Sequence, residues 1–212
     1  TNNNASTDDI IGTLSDISGT SVYDNAVNWL ANYSSFFTIS TDTFFNNGDE
    51  RISFNTTITA LTDLSDLSFL RAIDPDPDVE GFSSFNTNNG RGFGSLAAED
   101  WVHSVGTATG LTLGLYSDSS VAHNTGITSP WSEDPADYLA GTDDGNGDNA
   151  IGLAFSMGDL LKGQSISFDY HYVMGDQLST VDIPNDVPEP STLAIFALGI
   201  LGLASRKIKR KV

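Results

Sequence analysis

The stretch Ser165–Met174, with the sequence SISFDYHYVM, decides the fold class of this chain. Apolar and polar side chains alternate along it, and this period is typical of a β-strand with one buried face. The predicted buried face carries Ile166, Phe168, Tyr170, Tyr172 and Met174. The opposite face begins with Ser165, Ser167, Asp169 and His171, and we expect it to meet solvent.

The same alternation recurs in earlier parts of the chain. Its most regular example is Arg51–Ala60 (RISFNTTITA), which is rich in β-branched residues. Further short candidates are Ser68–Ile73, Thr107–Tyr116 and Ile151–Phe155. Short strands separated by turn residues are typical of sandwiches and barrels. We therefore predict an all-β fold, an antiparallel β-sandwich of the jelly-roll or immunoglobulin-like type.

Other segments are predicted as connections or leave two structures open. Ser83–Ser95 and residues 117–149 are rich in Gly, Asn, Asp and Ser, which favours loops. Met157–Lys162 is predicted as a short connection before a turn at Gly163. Asp24–Phe37 (DNAVNWLANYSSFF) fits a short amphipathic helix and an irregular strand equally well.

The charges are unevenly distributed along the 212 residues, whose formal net charge is −19. Only four of the nine Lys and Arg residues precede position 188, whereas five lie within residues 206–211. An acidic body argues against a nucleic-acid partner, because phosphate binding depends on Lys and Arg. It suits cation binding or simply solubility. The absence of cysteine excludes thiol catalysis and cysteine-ligated zinc.

The C-terminal residues consist of three parts in a distinctive order. The proline-containing segment Val187–Thr192 is followed by an unbroken apolar run, Leu193–Ala204, and then by the basic cluster. Positive charges stay on the cytoplasmic side of a membrane, so we expect the acidic body on the far side. We therefore predict a β-sandwich domain at 1–175, a linker at 176–187, and a tail at 188–212 whose apolar run forms one transmembrane helix.

This order resembles a PEP-CTERM sorting signal, with Pro188, Glu189 and Pro190 as the sorting motif. The resemblance implies a transient partner, the membrane-embedded transpeptidase exosortase, which cleaves near this motif. It also implies export by a Gram-negative bacterium to the cell surface or extracellular matrix, often together with exopolysaccharide. Related tails are labelled as C-terminal domains of ice-binding proteins, although such a tail is a sorting signal and is not evidence of ice binding. Because export needs a secretory signal, we expect one ahead of Thr1.

The body shows a second resemblance. Phe69–Asp76 (FLRAIDPD) and Asp148–Phe155 (DNAIGLAF) are similar to segments in the β-rich bodies of other exported proteins of this kind. The resemblance agrees with the fold class predicted above, and no activity follows from it.

The segment Asp143–Asn149 (DDGNGDN) is the best candidate for a metal-binding loop. Asp144, Asn146 and Asp148 match positions 1, 3 and 5 of a calcium loop, where alternate oxygens converge on one cation. The sixth and twelfth positions lack the required Gly and Glu, so a complete EF-hand is excluded. Two interpretations stay open, an irregular Ca²⁺ loop and an ordinary surface loop. We expect no other cofactor.

Two further groups of titratable residues are weaker candidates. Asp74, Asp76 and Asp78 alternate with prolines and are predicted either as a solvated turn or as ligands that converge on a cation. The three histidines show no metal-ligand spacing, and His171 is expected to be an ordinary surface imidazole.

No phosphate loop, dinucleotide fingerprint or nucleophile elbow is present in the sequence, so we expect a protein that is not an enzyme. The primary hypothesis is a structural protein of the cell surface or matrix. The alternative is a glycan-binding module, in which Trp101 and Trp131 would stack on sugar rings, or an ice-binding module. For ice, Thr56, Thr57 and Thr59 are too few to form a regular array. A third hypothesis is a secreted hydrolase with an unrecognised carboxylate pair.

Overall fold

The computed structural model describes residues 10–183, which form eleven strands and two short helices. The strands are β1 Gly12–Asp16, β2 Asn25–Tyr33, β3 Phe37–Phe45, β4 Arg51–Ala60, β5 Leu64–Ile73, β6 Thr87–Arg91, β7 Trp101–Gly106, β8 Thr112–Tyr116, β9 His123–Thr128, β10 Ala150–Leu160 and β11 Ser165–Gly175. The helices are α1 Val79–Phe82 and α2 Pro135–Leu139.

The strands form two sheets in which neighbouring strands are antiparallel. The larger sheet has eight strands in the order β1-β2-β3-β4-β11-β8-β7-β6, and the smaller has three in the order β5-β10-β9. Both sheets contribute to one core, which includes Ile58, Val102, Leu115, Phe168 and Tyr170 from the larger sheet and Ile127, Ile151, Leu153 and Phe155 from the smaller. The predicted fold class, an antiparallel β-sandwich, is therefore confirmed. The choice between jelly-roll and immunoglobulin-like topology stays a prediction.

Strands β4 and β11 pair along their length within the larger sheet. As the alternation predicts, Phe168 is buried, whereas Ser165 and Ser167 are exposed on the opposite face. The prediction is wrong at Met174, which is exposed. Val173 is buried there instead, on the same face as the two serines, because it pairs with Gly114, against which the Trp101 ring packs. On that face, the hydroxyls of Ser167 and Thr57 are 2.7 Å apart, and so are those of Ser165 and Thr59. Cross-strand pairs of this kind stabilise a solvated sheet face. The hydroxyls bond to each other and do not present a free array to solvent.

Strand β10 begins as a continuous buried run because both of its faces are covered. Leu153 and Phe155 point into the core between the sheets. On the other face, the Tyr138 ring of α2 packs over Gly152, where a Cβ atom would overlap the ring. Gly126, which pairs with Gly152 across the β9–β10 ladder, lies under the same tyrosine. These two glycines therefore allow α2 to lie directly on the smaller sheet.

Several segments form strands or a short helix that the sequence does not reveal. Asp24–Phe37 contains strand β2, the predicted loops contain β6, β9 and α2, and β10 continues through the predicted connection to Leu160. Strand β6 tolerates polar residues because its neighbours satisfy them. The Asn89 amide donates to the Gly145 carbonyl, and its oxygen accepts from the Ser104 hydroxyl.

The predicted strand Thr107–Tyr116 is extended only in its second half, β8. Its first half forms a turn around the buried carboxylate of Asp78. This carboxylate accepts hydrogen bonds from the backbone N–H groups of Ala108 and Thr109, at 2.7 and 3.2 Å, and from the Thr109 hydroxyl. The Thr109 hydroxyl and then the Ala108 N–H lower the pKa of Asp78. Asp78 is thus an anchor for the turn and not an exposed cation ligand.

The predicted C-terminal features lie outside the described residues. These are the sorting motif Pro188, Glu189 and Pro190 and the transmembrane helix at 193–204. Within residues 10–183, no helix has both the length and the apolar character needed to cross a membrane. The division into a domain at 1–175, a linker at 176–187 and a tail at 188–212 stays a prediction.

Replacing Asp78 by Ala should lower the melting temperature, because two backbone N–H groups would lose their acceptor in a buried position. Since the pKa of Asp78 is lowered in the fold from 3.8, its contribution is present above that value and is lost as pH falls through the folded pKa. The difference between wild type and Asp78→Ala should therefore shrink in acid. Thermal unfolding followed by circular dichroism across a pH series measures it.

The control is Glu80→Ala, which removes an exposed carboxylate from the neighbouring helix α1 and should melt like wild type. If Asp78→Ala and wild type differ by the same amount at every pH, the proposed role of the Asp78 carboxylate is wrong.

Candidate functional site

A depression with a volume of about 740 Å³ opens where β9 ends and the chain turns into α2. It is lined by the loop 129–134 together with Thr128, Asp137, Thr142 and Asp144. The side chain of Trp131 lies in this loop, and the residue is 49% exposed. An exposed aromatic ring beside a concave surface is a common feature of ligand sites.

The buried Tyr138 fixes the position of the loop. Its hydroxyl lies 3.0 Å from the Thr128 hydroxyl and donates to the Ser132 carbonyl at 2.9 Å. Burial raises the pKa of Tyr138, so the hydroxyl keeps its proton as a donor at neutral pH. A second tie comes from Asp144, whose carboxylate accepts from the Ser129 N–H at 2.7 Å. Both ends of the loop are therefore held by the smaller sheet and its connections.

Acidic side chains surround the Trp131 ring. The depression is lined by four of them, namely Glu133, Asp134, Asp137 and Asp144. Asp134 accepts from the Ala136 N–H at 2.9 Å and caps helix α2. None of the described lining residues is Lys or Arg. Carboxylates accept hydrogen bonds but do not donate them, so the depression suits a ligand with hydroxyl donors and one apolar face and disfavours an anion.

Trp101 does not belong to this surface. Although the sequence suggests it as a sugar-stacking residue, it is fully buried. It stacks on His103 with ring centroids 5.7 Å apart, and Gly114 of the adjacent strand leaves room for its six-membered ring. The expectation for Trp101 was wrong because a tryptophan on a sheet face can be covered by segments that are distant in sequence. Trp131 is the exposed residue of the pair.

The residues of the predicted calcium loop point to different neighbours. Asp144 accepts from Ser129 as described, and the Asn146 side-chain oxygen accepts from the Asn89 N–H at 2.8 Å. Asp148 is close to Asp74 and Asp76 instead. The calcium site at Asp144, Asn146 and Asp148 stays a prediction.

Asp74, Asp76 and Asp148 combine members of the two acidic groups seen in the sequence. Their carboxylate oxygens lie within 4.8 Å of one another. Burial raises the pKa of Asp74, and the negative charge of Asp148 adds to this. Burial and the neighbouring carboxylates also raise the pKa of Asp76. All three groups are carboxylates, and acidic clusters of this kind are common on protein surfaces.

The histidines occupy three different environments. Burial lowers the pKa of His103 to about 4, so that its ring is neutral against Trp101. The Nε2 atom of His123 lies 3.1 Å from the Asp100 carboxylate. The side chain of His171 is only 13% exposed, which contradicts the expectation of a surface imidazole.

His171 is covered because its neighbours across the sheet pack against it. The Tyr116 ring of β8 stacks on it with centroids 5.9 Å apart, and the Ser53 hydroxyl of β4 lies 2.8 Å from its Nδ1 atom. On the other side of the ring, Nε2 is 3.9 Å from Asp169. The order Ser53–His171–Asp169 has the residue types of a hydrolase triad, but Ser53 is buried and the carboxylate lies beyond hydrogen-bond distance.

Sequence reasoning missed how these groups assemble. Asp118 joins Asp169 and His171 through the pairing of β8 with β11, which no local pattern announces. The carboxylates around Trp131 could be seen in the sequence, because Glu133, Asp134 and Asp137 all lie within six residues after it. That signal became informative only once the ring was known to be exposed.

The end of the chain belongs to a known class of sequence. Residues 186–211 match the family model described as the PEP-CTERM protein-sorting motif. The chain therefore carries this motif, and the predicted PEP-CTERM signal is confirmed. The assignment of Pro188, Glu189 and Pro190 as the sorting motif stays a prediction. A PEP-CTERM motif implies processing by exosortase and export for sorting to the cell surface. No curated protein sequence matches the chain.

The β-sandwich is similar to part of a bacterial glucoamylase solved in complex with acarbose. The two share 13% identity with a TM-score of 0.54, over 81% of this chain and 24% of the glucoamylase. The chain thus spans about a quarter of that enzyme's length, and at this identity the likeness concerns the fold alone. Two others are heparinase III, with 9% identity over 79% of this chain and 22% of that chain at a TM-score of 0.48, and the heparan sulfate lyase HepC of Pedobacter heparinus, with 9% identity over 72% and 20% at 0.41.

Truncation to alanine should lower the stability of the fold strongly at Trp101 and hardly at all at Trp131. Trp101→Ala should destabilise the protein by about 3–5 kcal/mol, because it leaves a large cavity in a buried site. Trp131→Ala should change the free energy of unfolding by less than about 0.5 kcal/mol, as surface substitutions usually do. Urea denaturation followed by circular dichroism measures both. Equal losses in the two variants would contradict the assignment of Trp131 to an exposed loop.

Proposed function

We propose that the protein is a structural component of the cell surface or extracellular matrix of a Gram-negative bacterium, and that it is not an enzyme. The observation that carries this proposal is the PEP-CTERM motif at residues 186–211, joined in one chain to a β-sandwich. Exosortase is the transient partner, and the apolar run at 193–204 holds the chain in the membrane until cleavage. The strongly acidic composition favours solubility outside the cell.

The processing step can be tested in the native host. Intact mass of the wild-type protein from the cell-surface fraction should correspond to a chain without the tail. The double variant Pro188→Ala/Pro190→Ala should retain the tail and stay in the membrane fraction, because it removes both prolines of the predicted sorting motif.

Trp131→Ala is the matched control for processing, since it lies in the body and should be cleaved and released like wild type. If the wild-type chain keeps its tail and stays in the membrane, the tail is a plain anchor, and delivery to the matrix is wrong.

A second function is favoured by the depression at Trp131. A glycan-binding module needs an aromatic face for the apolar side of a sugar ring and acceptors for its hydroxyl groups. Trp131 supplies the face, and Glu133, Asp137 and Asp144 are exposed around it. Because these groups are negatively charged, the glycan would be neutral. Uronic-acid polymers would be repelled. Attachment to neutral exopolysaccharide is consistent with the matrix role.

Affinity gel electrophoresis tests this second function. A neutral polysaccharide in the gel should retard the wild-type protein, whereas a uronic-acid-rich polysaccharide should not. Trp131→Ala should abolish the retardation, since each stacked ring contributes substantially to a small interface. The control is Phe85→Ala, which removes an exposed ring outside the depression.

Retardation that survives Trp131→Ala, or no retardation by any neutral polysaccharide, would contradict glycan binding at this depression. Release of reducing ends from the polysaccharide would instead support the hydrolase hypothesis and contradict the non-enzymatic proposal.

A further inference from the structure

A second group of polar side chains lies on the outer face of the larger sheet. Asp169 and His171 are alternate residues of β11 and therefore share one face. Asp118 follows β8, the strand that pairs with β11 at Tyr116 and His171. Their nearest ligand atoms, two carboxylate oxygens and one ring nitrogen, lie within 4.8 Å of one another.

The backbone on both sides of this group is fixed. His171 pairs with Ser53 on one neighbouring strand and with Tyr116 on the other, so it lies within a continuous ladder. The Ser117 hydroxyl donates to the Asp169 carbonyl at 2.7 Å and holds the residue before Asp118 against β11. A group built on paired strands is positioned more accurately than one built on loops.

The imidazole of His171 is oriented for coordination. Its Nδ1 atom lies 2.8 Å from the Ser53 hydroxyl, and Tyr116 stacks on the ring. When Nδ1–H donates to this hydroxyl, the lone pair of the neutral ring lies on Nε2, the atom on the side of Asp169. A hydrogen bond to the nitrogen that does not coordinate is the usual support of a metal-binding histidine.

The two carboxylates crowd each other in the absence of a cation. Their oxygens lie within 4.8 Å of each other, and like charges at this separation repel. A cation between them would relieve this repulsion. The site is partly open, because Asp118 is exposed while Asp169 and His171 are half-buried.

The donor set selects the class of metal. Calcium and magnesium are bound by oxygen ligands alone, whereas one imidazole nitrogen with two carboxylate oxygens suits a borderline ion such as zinc. Three protein ligands leave a fourth tetrahedral position for water or another exogenous ligand. We propose that Asp118, Asp169 and His171 bind a divalent transition-metal ion, for which Zn²⁺ is the best match.

The test is calorimetric titration of the chelator-treated, tag-free full chain with zinc chloride. We expect one equivalent of Zn²⁺ to bind and the melting temperature to rise with zinc concentration. His171→Gln and Asp169→Asn should weaken binding by at least about 100-fold, and Ser53→Ala, which removes only the support of Nδ1, by about 10–100-fold. Co²⁺ in place of Zn²⁺ should give a visible absorption band that His171→Gln removes.

A matched control separates this site from the other acidic group. Asp148→Asn removes a carboxylate of the all-carboxylate group with Asp74 and Asp76. It should bind Zn²⁺ like wild type. Circular dichroism without metal checks that each variant is folded. An absence of zinc binding by wild type, or undiminished binding by a folded His171→Gln variant, would overturn the proposal.

Discussion

The contact between Phe155 and Phe168 is the interaction on which the architecture depends. Their rings lie 4.5 Å apart and join the central strand of the smaller sheet to a central strand of the larger. Phe69 and Tyr170 pack around them, so aromatic rings fill the space between the sheets. Strands β10 and β11 are consecutive in sequence but belong to different sheets, so the short connection at 161–164 joins the middle of one sheet to the middle of the other. The remaining strands extend these two outward.

Because β-strands alternate, the residues that form this contact also determine what the outer faces carry. In β11, Phe168 and Tyr170 point into the core, and Asp169 and His171, on either side of Tyr170, lie on the other face. In β10, Leu153 points inward and Gly152 outward, where it receives Tyr138 and so supports the loop of Trp131. Each candidate site therefore lies on the outer face of a strand whose inner face forms the core. A one-residue register slip would bury the polar groups and destroy both.

The same alternation explains what could be predicted from sequence. Strands β4 and β11 were predictable, since apolar and polar residues alternate along each of them. The polar face meets solvent at Ser165 and Ser167. Its burial at Ser53 depends on tertiary contacts and could not be predicted. Strands β6 and β9 were not, because their polar residues are satisfied inside the fold, as when Arg91 donates to Asn124 and Thr125. Local composition also does not distinguish the exposed Trp131 from the buried Trp101, because Trp101 is buried only by tertiary contacts. The group at His171 could not be predicted either, because Ser53 and Asp118 are distant from it in sequence and the pairing of β4 and β8 with β11 brings them together.

Charge connects these features to the surroundings of the protein. Three of the four basic residues in the described body face acceptors within it. Arg51 pairs with Asp182 at 3.5 Å, Arg71 donates to the Tyr172 hydroxyl at 2.7 Å, and Arg91 donates to the Gly141 carbonyl at 2.8 Å. These arginines hold strands and loops together and leave the carboxylates to dominate the surface. Such a surface repels anionic polymers and attracts cations. For this reason we propose a neutral glycan as the ligand of the Trp131 depression and a divalent metal ion as the ligand of the group at His171.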